Sequence, residues 1–119
     1  MSAPRVILVE DEPLVAMMME DLLIDLGCEV AGSFGSLAAA IEWLSGQSEP
    51  PDGALLDVNL GGGETVFPLA EALQARGVPF AFATGYGALP TDSFADAPLI
   101  LKPVDEGKLW PVVQAFAAA

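Results

Sequence analysis

The chain has no histidine and only four basic side chains, Arg5, Arg76, Lys102 and Lys108, against 17 acids, a formal charge of −13. Without imidazole there is no histidine general base, no His-ligated zinc site and no phosphohistidine on this chain. So acidic a surface repels nucleic acid and anionic lipid, but leaves room for a basic protein partner or a bound cation. Cys28 is the single cysteine, which rules out an internal disulfide and reads as a buried, inert thiol. No apolar run reaches the roughly 18 residues of a membrane span. The N-terminus turns acidic at Glu10 without a signal-peptide core. The expectation is a soluble, cytoplasmic protein with no nucleic-acid or membrane partner.

What remains is a core. The 119 residues are 53% hydrophobic, enough for one domain over residues 1–119 and too few for a second. Apolar strands and amphipathic helices alternate. Arg5–Val9 reads as a buried strand, and Pro13 suits the first turn of a helix. Leu14, Met18, Leu22 and Leu26 recur along that helix with Val15, Met19 and Leu23 beside them, and Gly27 ends it. Glu29–Ser33 is a second strand. Ser36 can cap a helix whose Leu37, Ile41 and Leu44 face inward, with Gly46 closing it.

Gly53–Leu56 is a third strand ending at Asp57, followed by the glycine turn Gly61–Gly63. Val66, Leu69, Ala70 and Leu73 mark a third helix. Phe80–Ala83 is a fourth strand and Pro98–Leu101 a fifth. Leu109, Val112, Val113 and Phe116 mark the last helix. Between strands four and five, Ala88–Ala97 carries Pro90 and no sustained period, so it makes a poor helix. Five βα repeats with apolar strands imply a doubly wound parallel sheet, whose reactive edge lies beyond the carboxyl ends of its strands.

The first polar residues at those ends form a set. Strand one gives Glu10, Asp11 and Glu12, strand three Asp57 and then Asn59, strand four Thr84, and strand five Lys102. Glu10, Asp11 and Asp57 repel one another unless a hard cation joins them, and Mg²⁺ suits carboxylate and carbonyl oxygens. The Asn59 backbone carbonyl would add a ligand. Asp57 is placed as a nucleophile toward phosphorus, with Lys102 and Thr84 to meet the phosphoryl oxygens. Singly, each residue is an ordinary turn or cap; four at four strand ends make a site.

In ILVEDEP (Ile7–Pro13), LLDVNL (Leu55–Leu60), AT (Ala83-Thr84) and LKP (Leu101–Pro103), the sequence resembles a response-regulator receiver domain of two-component signalling. PFAFATGYG and NLGGGE are similar to alphaproteobacterial single-domain receivers with a Phe-Ala-Thr-Gly signature, associated with general stress signalling. The resemblance implies a flavodoxin-like (βα)5 fold with strand order 2-1-3-4-5. It implies Asp57 as phosphoryl acceptor, and Mg²⁺ (or Mn²⁺) on Glu10, Asp11, Asp57 and the Asn59 carbonyl. Lys102 would contact the phosphoryl group, and Thr84 would be the switch hydroxyl. The donor would be a sensor histidine kinase or a phosphotransfer protein. Output would pass to a further protein, and the chain would be a monomer or weak dimer, not a turnover enzyme.

Three departures qualify the resemblance. Gly61 stands where many receivers have proline. Leu99 stands where many place a switch aromatic, which gives Tyr86 a candidate gating role. The fourth helix is expected to be short or irregular. Trp43 and Trp110 read as core or edge packing, and Met17–Met19 as ordinary packing. Two alternatives stay open: a receiver-like adaptor that is never phosphorylated, and an aspartyl-phosphate phosphatase. The latter lacks a second acid two residues after Asp57, where Asn59 stands. A nucleotide or flavin site lacks glycines after strand one.

Overall fold

The computed structural model describes residues 3–60, 64–85 and 93–118. Five strands, β1 (Arg5–Val9), β2 (Glu29–Phe34), β3 (Gly53–Asp57), β4 (Phe80–Thr84) and β5 (Leu99–Leu101), form one parallel sheet in the order β2-β1-β3-β4-β5. Helices α1 (Pro13–Asp25), α2 (Leu37–Ser45), α3 (Phe67–Ala75) and α4 (Glu106–Ala118) cover it. This is the flavodoxin-like arrangement the sequence implies. Between β4 and β5 the described residues hold a turn at 93–96 and no helix, as expected from that segment's composition.

The strand alternation splits the core in two. Ile7, Val9, Leu56, Phe80 and Phe82 face α2 and α3, where Leu44, Leu69 and Leu73 meet them. Val6, Leu8, Leu55, Ala81 and Ala83 face α1 and α4, where Met19, Leu23, Leu109 and Phe116 meet them. β3 and β4 are buried along their whole length. The ring of Phe116 presses on Gly53, where a Cβ would lie 2.3 Å from the ring. Ser36 caps α2, its Oγ accepting from the Ala39 N–H at 3.2 Å. Gly27 and Gly77 end α1 and α3 with φ of 91° and 73°, where side chains are strained.

The wide apolar face of α1 turns inward only in part, with Val15, Met19, Leu22, Leu23 and Leu26 in or against the core. The buried residues of α1 are Ala16, Met19 and Leu23, while Leu14 and Met18 of the four-residue series are 76% and 60% exposed. Met17 and Ile24 are exposed with them, so of Met17–Met19 only Met19 packs inside. The helix is apolar nearly all round, and a period alone cannot say which stripe turns inward. Trp43 packs at the edge against Phe34, ring centroids 5.6 Å apart, whereas Trp110 is half exposed.

All four basic side chains are engaged within the chain. Arg5 lies 3.7 Å from Glu29, and Arg76 donates to the carbonyls of Leu44 and Gln47 at the end of α2. Lys108 donates to the carbonyls of Leu101 and Pro103. Lys102 turns into the strand-end site.

Candidate functional site

Sheet register builds the site. Val9 pairs with Leu56, so Glu10 and Asp57 follow side by side; Asp57 pairs with Ala83, one residue before Thr84. Thr84 pairs with Leu101, and its carbonyl accepts from the Lys102 N–H at 2.8 Å. The ends of four strands thus set Glu10, Asp57, Thr84 and Lys102 on one edge, as the spacing predicts.

Glu10, Asp57 and Thr84 are the buried polar side chains among the described residues. Lys102 Nζ lies 3.0 Å from Glu10 Oε2 and 3.2 Å from Asp57 Oδ1. The other Glu10 oxygen accepts from the Glu12 N–H at 3.2 Å. Burial, and then the charge of Glu10, push the Asp57 carboxyl up to about 6, although Lys102 opposes the shift. Burial alone would lower the Lys102 ammonium, but the Glu10 hydrogen bond and the charges of Asp57 and Glu10 outweigh it, and its pKa is raised.

Above these groups opens a cleft of about 520 Å³, lined by Asp11, Glu12, Asp57, Asn59, Thr84 and Lys102, among others. Glu10 is buried and does not line the cleft. Carboxylate oxygens of Glu10, Asp11 and Asp57 come within 4.8 Å of one another, a donor set that fits a hard divalent cation. Asn59 pairs with Thr65 in an isolated bridge across the loop after β3. Glu64 Oε1 accepts from the Leu37 N–H, fixing that loop's far end to α2.

Leu99 is half buried, pairs with Phe82 and packs toward α2 and α3. Tyr86 and the Gly61–Gly63 turn lie outside the described residues. Gly85, from the PFAFATGYG stretch, also lines the cleft. Phe94, which no motif or period singles out, is a buried aromatic in the segment between β4 and β5. Only its isolation in a polar stretch marked Phe94. Beside the site, Val15, Met18, Met19, Leu22, Pro103 and Val104 line a mainly apolar groove of about 330 Å³ that reaches Lys102.

The fold and this edge define a class of signalling domain. Residues 6–114 match the profile of the response regulator receiver domain, and the chain belongs to that family. Receivers bind Mg²⁺ through acidic residues and exchange signals with kinases or phosphotransfer proteins.

Among individual relatives, SdrG from Sphingomonas melonis Fr1 is 41% identical, with a TM-score of 0.82 over 98% of this chain and 99% of its own. SdrG in its BeF3-activated conformation, from Pseudomonas melonis Fr1, is 43% identical, with a TM-score of 0.77 over 97% and 98%. The phyllosphere-induced regulator PhyR of Methylorubrum extorquens is 30% identical over 93% of this chain, which spans 42% of PhyR's length. No helix among the described residues is long and apolar enough to cross a membrane.

Proposed function

We propose that this chain is a phosphorylation-dependent switch with Asp57 as phosphoryl acceptor. The observation that carries the reading is the Asp57 carboxylate at the floor of an open cleft, with the Lys102 ammonium 3.2 Å away and two further acids beside it.

A carboxylate oxygen of Asp57 attacks the phosphorus of a phosphohistidine on a sensor kinase or phosphotransfer protein. The P–N bond breaks, its electron pair stays on the imidazole, and an acyl phosphate forms on Asp57. Lys102 neutralises phosphoryl charge, and the Thr84 hydroxyl donates to a phosphoryl oxygen. Asp11, Asp57 and the Asn59 carbonyl, with Glu10, would hold Mg²⁺ or Mn²⁺, which neutralises charge on the transferred group. No multi-turnover reaction is expected. The BeF3-activated state of SdrG supports acyl-phosphate chemistry at a related site.

The signal would leave through contact with a partner protein. The exposed Leu14, Met17 and Met18 and the groove reaching Lys102 offer a partner an apolar seat beside Asp57, ringed by acids that favour a basic surface. PhyR, described in a solved structure as a stress response regulator, supports a place in stress signalling.

The test is phosphoryl uptake from a labelled kinase or a small phosphodonor with Mg²⁺. Acid-stable, alkali-labile label should appear on the native chain and not on Asp57→Ala. Equal label on both would end the proposal.

A further inference from the structure

Four phenylalanines meet on the α2–α3 side of the sheet. The Phe94 ring stacks on Phe67, centroids 5.7 Å apart and planes 11° apart, and meets Phe80 and Phe82 edge-on at 5.7 Å each. Such pairs are favourable and directional, so the ring has a defined seat. Its sequence neighbours Ser93, Ala95 and Asp96 are exposed. Phe94 is thus the buried side chain that ties 93–96 to the core. The last helix, by contrast, is held by four buried side chains.

Two walls of this seat, Phe82 and Phe67, lead along the chain to the carboxylate site. Phe80, Phe82 and Thr84 alternate along β4, so Thr84 lies one pleat beyond Phe82 on the face that Phe94 covers. Phe67 begins α3 directly after Val66, whose N–H donates to the Val58 carbonyl next to Asp57, while Thr65 bridges to Asn59. An open cavity of about 500 Å³ lies against Phe94, bounded by Gln74, Val78, Pro79 and Ala97, and gives the segment room to move.

We propose that Phe94 is a latch: seated among Phe67, Phe80 and Phe82 it holds residues 93–97 on the core, and acyl-phosphate chemistry at Asp57 releases it. The inference rests on the acceptor role of Asp57. A shift of Thr84 toward Asp57 alters the end of the strand behind Phe82, and a shift of the loop after β3 moves Phe67. Either one changes the walls of a seat that a single ring occupies.

The experiment labels the six phenylalanines with 4-fluorophenylalanine and assigns Phe94 by the resonance that Phe94→Leu removes. Mg²⁺ and beryllofluoride are then added, with amide shifts at Val58 and Gly85 reporting occupation of the site. The latch predicts a shifted or second Phe94 resonance and at least ten-fold faster amide exchange at 94–97 (Pro98 has no amide). Phe94→Leu should exchange faster there before any addition and change less afterwards. If Val58 and Gly85 respond while the Phe94 resonance and exchange stay fixed, the latch is overturned and the acceptor reading stands. If Val58 and Gly85 do not respond, both fall.

Discussion

Lys102 Nζ lies closer to Glu10 Oε2, at 3.0 Å, than to Asp57 Oδ1, at 3.2 Å. Glu10 therefore serves as a tether for the lysine as well as a candidate metal ligand. Lys102→Met would leave two buried acids facing each other without a cation. The expected outcome is a loss of about 1–3 kcal/mol in denaturant unfolding without metal. Mg²⁺ should bind several-fold more tightly, because a competing cation is gone. Phosphoryl uptake should fall about 10²-fold. Weaker Mg²⁺ binding in the variant would contradict this electrostatic reading.

The titration of Asp57 gives a pH dependence with a definite sign. Its carboxyl is raised from 3.8 to about 6 by burial and by Glu10, so the folded state holds a proton that the unfolded state has released. This contribution is full below 3.8, is lost as pH rises through the window up to about 6, and is level above. Metal-free protein should lose stability across that window, and Asp57→Asn should flatten the slope. Mg²⁺ affinity should rise over the same window as the proton leaves. Unfolding curves and Mg²⁺ titrations at stepped pH measure both.

Gly53 has no room for a methyl group, since a Cβ there would lie 2.3–2.5 Å from ring atoms of Phe116. Gly53→Ala should cost about 1–3 kcal/mol by overpacking. Adding Phe116→Leu should recover part of the loss, which separates ring contact from a backbone effect. Paired denaturant curves of the single and double variants decide it.

The exposed face of α1 should matter for partners and not for folding. Leu14→Asp and Met18→Asp alter side chains that are 76% and 60% exposed. Each should shift stability by no more than about 0.5 kcal/mol. Each should weaken the complex with the phosphodonor at least ten-fold, as seen by calorimetry with the cognate kinase. Unchanged affinity in both variants would remove α1 from the docking surface.

Four of the five strands were legible because each is a short apolar run, β2 (EVAGSF) being the exception, and the site because a polar residue at such a strand's end is conspicuous. Asp57, Thr84 and Lys102 needed only the parallel topology to be brought together. The tether between Glu10 and Lys102 was not legible, since it joins residues 92 apart and depends on which way each side chain turns. The apolar face of α1 was legible only in part, because Leu14 and Met18, which are exposed, are as apolar as Met19 and Leu23, which are buried. Phe94 escaped notice because one aromatic in a polar stretch has no period; its partners Phe67, Phe80 and Phe82 come from two other elements.

With only Arg5, Arg76, Lys102 and Lys108 set against 17 acids, the protein presents solvent with a predominantly negative exterior. Ionic strength then acts on it in two directions. Salt slows capture of a basic partner by screening the attraction, and it brings two copies of the chain closer by screening their mutual repulsion. Dilute buffer sharpens the difference between partner and self, and concentrated salt erases it.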